Sequence, residues 1–124
     1  NFAQLQRMKD EGNCTHIIMV YGSVADKDVD SVIHLMPEDA VCVFTQAQGK
    51  RALPATAVYE KYCAYCASVC RSVANAHVAP GVADAVALAH ELAAGIVTSD
   101  PSARPLIYIG GSTYVVSEAV ALDW

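Results

Sequence analysis

Of the eight Lys and Arg residues in the chain, three stand where predicted strands give way to loops: Lys27 in "GSVADKD", and Lys50 and Arg51 in "TQAQGKR". Cations gathered along one rim of a sheet in an otherwise acidic chain can hold an anion such as a carboxylate or a phosphate. Solvated loop cations without a ligand leave the same trace. Lys27 is the better placed, because it follows an apolar strand by a short Gly-containing turn and is flanked by Asp26 and Asp28, whose carboxylates can orient its ammonium. Asp28 also precedes an amphipathic helix, where an Asp side chain usually caps free backbone N–H groups, and we read it as a helix cap. Asp26 stands open between the two roles. A second anion contact is offered by "GGSTY": two glycines allow close backbone approach, the following helix directs its free N–H groups outward, and Ser112 adds a hydroxyl. Ser112 serves equally as an ordinary cap.

Other chemistry-bearing residues are read as structural. "CAYCASVC" puts Cys63, Cys66 and Cys70 at i, i+3 and i+7 inside one predicted helix, with no helix N-terminus to lower a thiol pKa and no fourth ligand, which favours packing thiols over metal ligands. The histidines at 16, 34, 77 and 90 show no metal spacing, and His77, near a predicted strand end, reads as a structural histidine. Dinucleotide, phosphate-loop and nucleophile-elbow motifs are absent from the sequence.

The elements that must position these residues follow from periodicity. Phe2, Leu5 and Met8 predict a helix over 2–11, and the chain opens in it at Asn1 without a Met, as a segment of a longer protein would. "HIIMVY" (16–21) and "VCVFT" (41–45) are continuous apolar runs with β-branched residues, expected of parallel strands covered on both faces. Val29, Val32, Ile33 and Met36 share one helix face, which Pro37 ends. Pro54 opens a helix whose inner stripe is Val58, Tyr62, Tyr65 and Val69. "NAHVA" (75–79) is a weaker strand, Pro80-Gly81 leads into an Ala-rich helix to about Gly95, "LIYIG" (106–110) is a fourth strand, and 113–122 is a last helix. This alternation predicts a single Rossmann-like three-layer α/β domain, a mainly parallel sheet of about four strands with helices on both faces. Ligands in such sheets bind beyond the carboxyl ends of the strands, which singles out "GSVADKD", "TQAQGKR", "HVAPG" and "GGSTY".

Composition bounds the partners. A net charge of −5 and a pI near 5.1 exclude a basic nucleic-acid surface. Hydrophobic residues at 54% against 17% charged exclude a disordered chain. No uninterrupted apolar run approaches the roughly 20 residues of a membrane span, so no membrane partner is expected. Five cysteines without scaffold spacing, and no leader pattern, point to reduced thiols in the cytoplasm.

The succession "IIMVYGSVADKDVDSVIHLMP", "VFTQAQGKRALPA", "VADAVALAHELA" and "IYIGGSTYVVSEA" resembles the C-terminal domain of folylpolyglutamate synthase and the bifunctional dihydrofolate synthases, of the Mur ligase superfamily. The resemblance covers nearly the whole chain and is carried by G-x-x-x-D-K-D, K-R-A-L-P-A and G-S-x-Y-x-V. It implies a part in an ATP-dependent ligase that joins L-glutamate to folate or dihydropteroate through an acyl phosphate. It implies that residues 1–124 form the single C-terminal, amino-acid-binding domain, with ATP and Mg²⁺ held mainly by an N-terminal ATPase domain outside this chain. By motif, Lys27 and Ser112, with Asp26 beside them, take the glutamate carboxylate, while Arg51, Tyr114 and Lys50 stand on the rim of the site. No catalytic residue and no metal ligand are then expected here, and the segment by itself should be inert. Two other readings are a stand-alone Rossmann-like ligand-binding or interaction module, and a domain of a Mur cell-wall amino-acid ligase.

Overall fold

The chain folds in the order α1 (Phe2–Asp10), β1 (His16–Gly22), α2 (Val29–Ile33), β2 (Val41–Phe44), α3 (Ala55–Ser68), β3 (Ala76–Val78), α4 (Val82–Ser99), β4 (Pro105–Gly111) and α5 (Thr113–Val120). The computed structural model describes residues 2–24, 28–36, 40–49, 52–111 and 113–122.

The four strands form one sheet in the order β3-β2-β1-β4. Every pairing is parallel, with Ile18 beside Val41 and Ile107, and Val43 beside His77. Strand β1 is central and its residues 17–21 are buried, which is why it reads as an unbroken apolar run rather than an alternating one. Each fully buried Ile, Val or Met contributes about 1.5–3 kcal/mol of hydrophobic stabilisation.

Topology decides which helix covers which face. With right-handed crossovers, the run β1 to β2 to β3 carries α2 and α3 over one face, and the return from β3 to β4 carries α4 over the other. The packing agrees: Ile17, Met19, Tyr21, Cys42 and Phe44 meet Leu5, Ile33, Val58, Tyr62 and Cys66 on the first face. Ile18, Val20 and Val43 meet Ala85 and Ala89 of α4 on the second, and α5 joins that layer through Val115 and Ala119. Helix α4 is long and apolar enough by composition to cross a membrane. Here it is a cover helix, with Val82, Ala85, Val86 and Ala89 buried against the sheet.

The helix boundaries depart from periodicity in three places. Helix α2 stops at Ile33, well before Pro37, and Leu35 and Met36 continue in tight turns through N–H bonds to Val32 and Ile33; a residue before proline disfavours helical backbone. The buried stripe of α3 is Ala55, Val58, Tyr62 and Cys66, while Tyr65 is half-buried and Val69 is exposed. Cys66 therefore packs in the core, but Cys70 lies past the end of α3, exposed, with φ 59°. Helix α4 runs through Gly95 to Ser99, because Ile96 still packs on the sheet side.

Strands β1 and β4 end together on glycine, with Gly22 paired to Gly111. A Cβ on Gly22 would stand 2.7 Å from the Thr45 carbonyl oxygen and 2.8 Å from Val115 Cγ2. Gly111 has φ +100°, and a Cβ there would run into the Gly22 carbonyl oxygen. Gly111→Ala should therefore lose more than the roughly 1–3 kcal/mol of backbone strain alone. Gly95→Ala, in an open helical position with no atom within 4 Å, should be neutral or stabilising by up to about 1 kcal/mol. Thermal unfolding of the two variants checks this: a Gly111→Ala midpoint equal to that of Gly95→Ala contradicts the packing argument.

Candidate functional site

The connection leaving β1 turns to α2 on one face, and the connection leaving β4 turns to α5 on the other, so a switch point opens between the carboxyl ends of these two strands. Ligands of open parallel sheets bind in such crevices. Backbone bonds hold its walls. Thr45 N–H donates to Tyr21 O at 2.8 Å, and Leu53 N–H donates to Ser23 O at 2.9 Å. Val24 bridges Ala52, so the segment after β1 and the segment before α3 are tied side by side. Thr45 is fully buried, and its hydroxyl donates to Pro80 O at 3.2 Å, linking the β2 and β3 ends.

Lys27, Asp26, Lys50, Arg51 and Ser112 lie outside the described residues. What the structure brings together is their described neighbours: Val24 with Ala52, and Gly22 with Gly111. Tyr114, on the exposed side of α5, is 51% exposed. Asp28 is the N-cap of α2: its carboxylate accepts the Ser31 hydroxyl at 2.6 Å and the Ser31 backbone N–H at 3.3 Å. His77 is half-buried within β3.

Beneath the crevice the Tyr21 phenol is buried, which raises its pKa against the opposing effect of the neighbouring Ser23 side chain. The Tyr108 ring lies over Gly110, where a Cβ would stand 2.5 Å from its hydroxyl oxygen. On the first face, burial pushes the Cys42 thiol up to about 11, and the Tyr62 hydroxyl, raised mainly by burial, sits against Cys42 and Cys66. The Cys42 thiol is thus an inert core group, since the thiolate is the reactive form.

A cleft of about 540 Å³ opens on the same edge, lined by Gln46, Gln48, Pro80, Gly81, Val82 and Glu118 among others. Two of its residues were missed by sequence reasoning. Gln46 Oε1 accepts the Ala55 N–H at 2.8 Å and so caps α3, whose N-cap Pro54 has no side-chain bond to offer. Glu118 Oε2 accepts the Gln48 N–H at 2.8 Å, joining residues 70 apart in the chain. The available signals were a helix opened by Pro without a capping side chain, and a single charged residue in the apolar stretch "TYVVSEAV".

These features define a three-layer α/β domain with a crevice at the β1/β4 switch point. No family model matches the chain, and no curated protein matches it by sequence. Solved structures do share its fold. One is the folylpolyglutamate synthase of Mycobacterium tuberculosis complexed with ADP and AMPPCP, at TM-score 0.73 and 22% identity over 98% of this chain and 27% of that one. Another is the same enzyme complexed with ADP, at TM-score 0.73 and 19% identity over the same shares. The bifunctional folylpolyglutamate synthase/dihydrofolate synthase of Yersinia pestis, complexed with AMPPNP and Mn ion, matches at TM-score 0.61 and 16% identity over 97% and 25%. At these identities the likeness is one of fold, and the chain spans about a quarter of the length of each. The sequence contains no G-K-G-S phosphate loop, and among the described residues no three His, Cys, Asp or Glu side chains are grouped to hold an ion.

Two outcomes follow from the local bonds. Gln46→Ala should lower stability by about 0.5–2 kcal/mol, the usual loss of a side-chain helix cap; an unchanged unfolding midpoint contradicts that role. Hydrogen bonds from the Ser31 hydroxyl and N–H hold the Asp28 carboxyl below the usual aspartate range. The cap's contribution is thus complete above the ordinary aspartate range and is lost as pH falls through the lowered value. In a carboxyl NMR titration Asp28 should titrate below an ordinary aspartate and move back up in Ser31→Ala; no upward movement contradicts the assignment.

Proposed function

We propose that the chain is the C-terminal, amino-acid-binding domain of a cytoplasmic ATP-dependent ligase that joins L-glutamate to folate or dihydropteroate through an acyl phosphate. The observation that carries the reading is the strand order. It sets the end of β1 beside the end of β4, and these strands lead into the segments containing Lys27 and Ser112. The fold likeness to folylpolyglutamate synthases over 98% of the chain supports the same reading.

In this account Lys27, with Asp26 at its side, and Ser112 hold a glutamate carboxylate, with Arg51, Lys50 and Tyr114 on the rim. ATP, Mg²⁺ and the acyl-phosphate chemistry belong to an ATPase domain outside residues 1–124, so this chain alone is inactive. Its contribution to catalysis is to hold the amino acid in reach of the activated acyl group, which converts a bimolecular encounter into a positioned one.

The test is kinetic and uses the longer ligase that contains the ATPase domain. Lys27→Ala should raise the KM for L-glutamate about ten- to a hundred-fold, the worth of one charged hydrogen bond, and leave the KM for ATP unchanged. An unchanged glutamate KM removes Lys27 from the site. Absence of any glutamate-dependent ATP turnover in the parent protein removes the ligase reading itself.

A further inference from the structure

The cleft of about 540 Å³ has walls from the β2–α3 loop, the first turn of α4 and the end of α5. Its inner surface is apolar, formed by Ala47, Val82 and Leu122. Glu118 carries the one ionisable side chain among the described residues that line it. The bond from Gln48 N–H to Oε2 at 2.8 Å pins that carboxylate to the rim, so it is oriented before any ligand arrives.

Helix α4 starts in the cleft without a side-chain cap bond, an arrangement that ordinarily favours an anion. Here Asp84 stands in its first turn, and a Cβ on Gly81 would lie 3.3 Å from Asp84 Oδ2, so this carboxylate folds back toward the helix start. It already complements the positive end of the helix dipole. An incoming anion would therefore meet the Glu118 carboxylate at the rim and a helix start already complemented by Asp84, and among the described lining residues no Lys, Arg or His. An ammonium group on a small organic body matches both the charge and the apolar walls.

We propose that this cleft binds the primary ammonium group of a small organic molecule, with Glu118 as its counter-ion. The identity of that molecule rests on the ligase reading, in which the ammonium belongs to L-glutamate; the charge preference of the cleft does not.

The experiment is a titration of the ¹⁵N-labelled chain, followed by the backbone amides of Gln48, Gly81 and Val82. The probes are L-glutamate and n-butylamine, with glutarate and butyrate as amine-free counterparts. Both amines should shift these amides, and the counterparts should need about tenfold higher concentration to do so, a difference of about 1.4 kcal/mol. Glu118→Gln keeps an acceptor for the Gln48 N–H and should weaken amine binding about fivefold, the upper end for an exposed ion pair, with the unfolding midpoint unchanged. A shift with n-butylamine but none with L-glutamate upholds the cleft and counts against glutamate as the substrate. Amines and their amine-free counterparts acting alike on the wild-type chain, or no amine moving these amides, overturns the proposal whatever the variant does.

Discussion

The contact on which the rest depends is the meeting of Gly22 and Gly111 at the carboxyl ends of β1 and β4. Neither position tolerates a side chain: one is closed by Thr45 and Val115, the other by the Gly22 carbonyl and by its left-handed backbone. Because the two strands stay paired to their last residues, the polypeptide leaves both at one point and departs to opposite faces. A rigid strand end defines where each following loop begins, which is what a site built on loops requires.

A second set of bonds extends that edge sideways. Thr45 and Gln46 bind Pro80 O, Gln46 caps α3, and Glu118 takes the Gln48 N–H, so the ends of β2, β3 and β4 are joined through side chains as well as through the ladder. The opposite edge of the sheet is joined in the same way, with Thr15 and Arg104 linked backbone to backbone and through the Thr15 hydroxyl, and the Arg104 guanidinium donating to the Gly12 carbonyl.

Much of this was legible before any coordinates. Three of the four strands announce themselves as apolar, β-branched runs too short for helices, "NAHVA" is the weaker signal, and the parallel three-layer arrangement follows from their alternation with helices. Strand order was not legible, because it is settled by packing between residues far apart in the chain. The inner face of α3 was misjudged for a related reason: stripes through Val58 and Tyr62 can end on Tyr65 and Val69 or on Cys66, and only the position of the sheet decides between them. The Glu118–Gln48 bond spans 70 residues and leaves no local pattern. Lys27, Asp26, Lys50, Arg51 and Ser112 were visible as residue types next to strand ends, and their roles belong to the proposed function.

The central claim is that the crevice between β1 and β4 receives the carboxylate of an amino acid. A crystal structure of the proposed parent ligase with L-glutamate bound tests it most directly. The account predicts a glutamate carboxylate at the ends of β1 and β4, within hydrogen-bonding distance of the Lys27 ammonium. Glutamate seated at the other edge of the sheet, beside His16 and Asp100, or wholly on another domain, would contradict it.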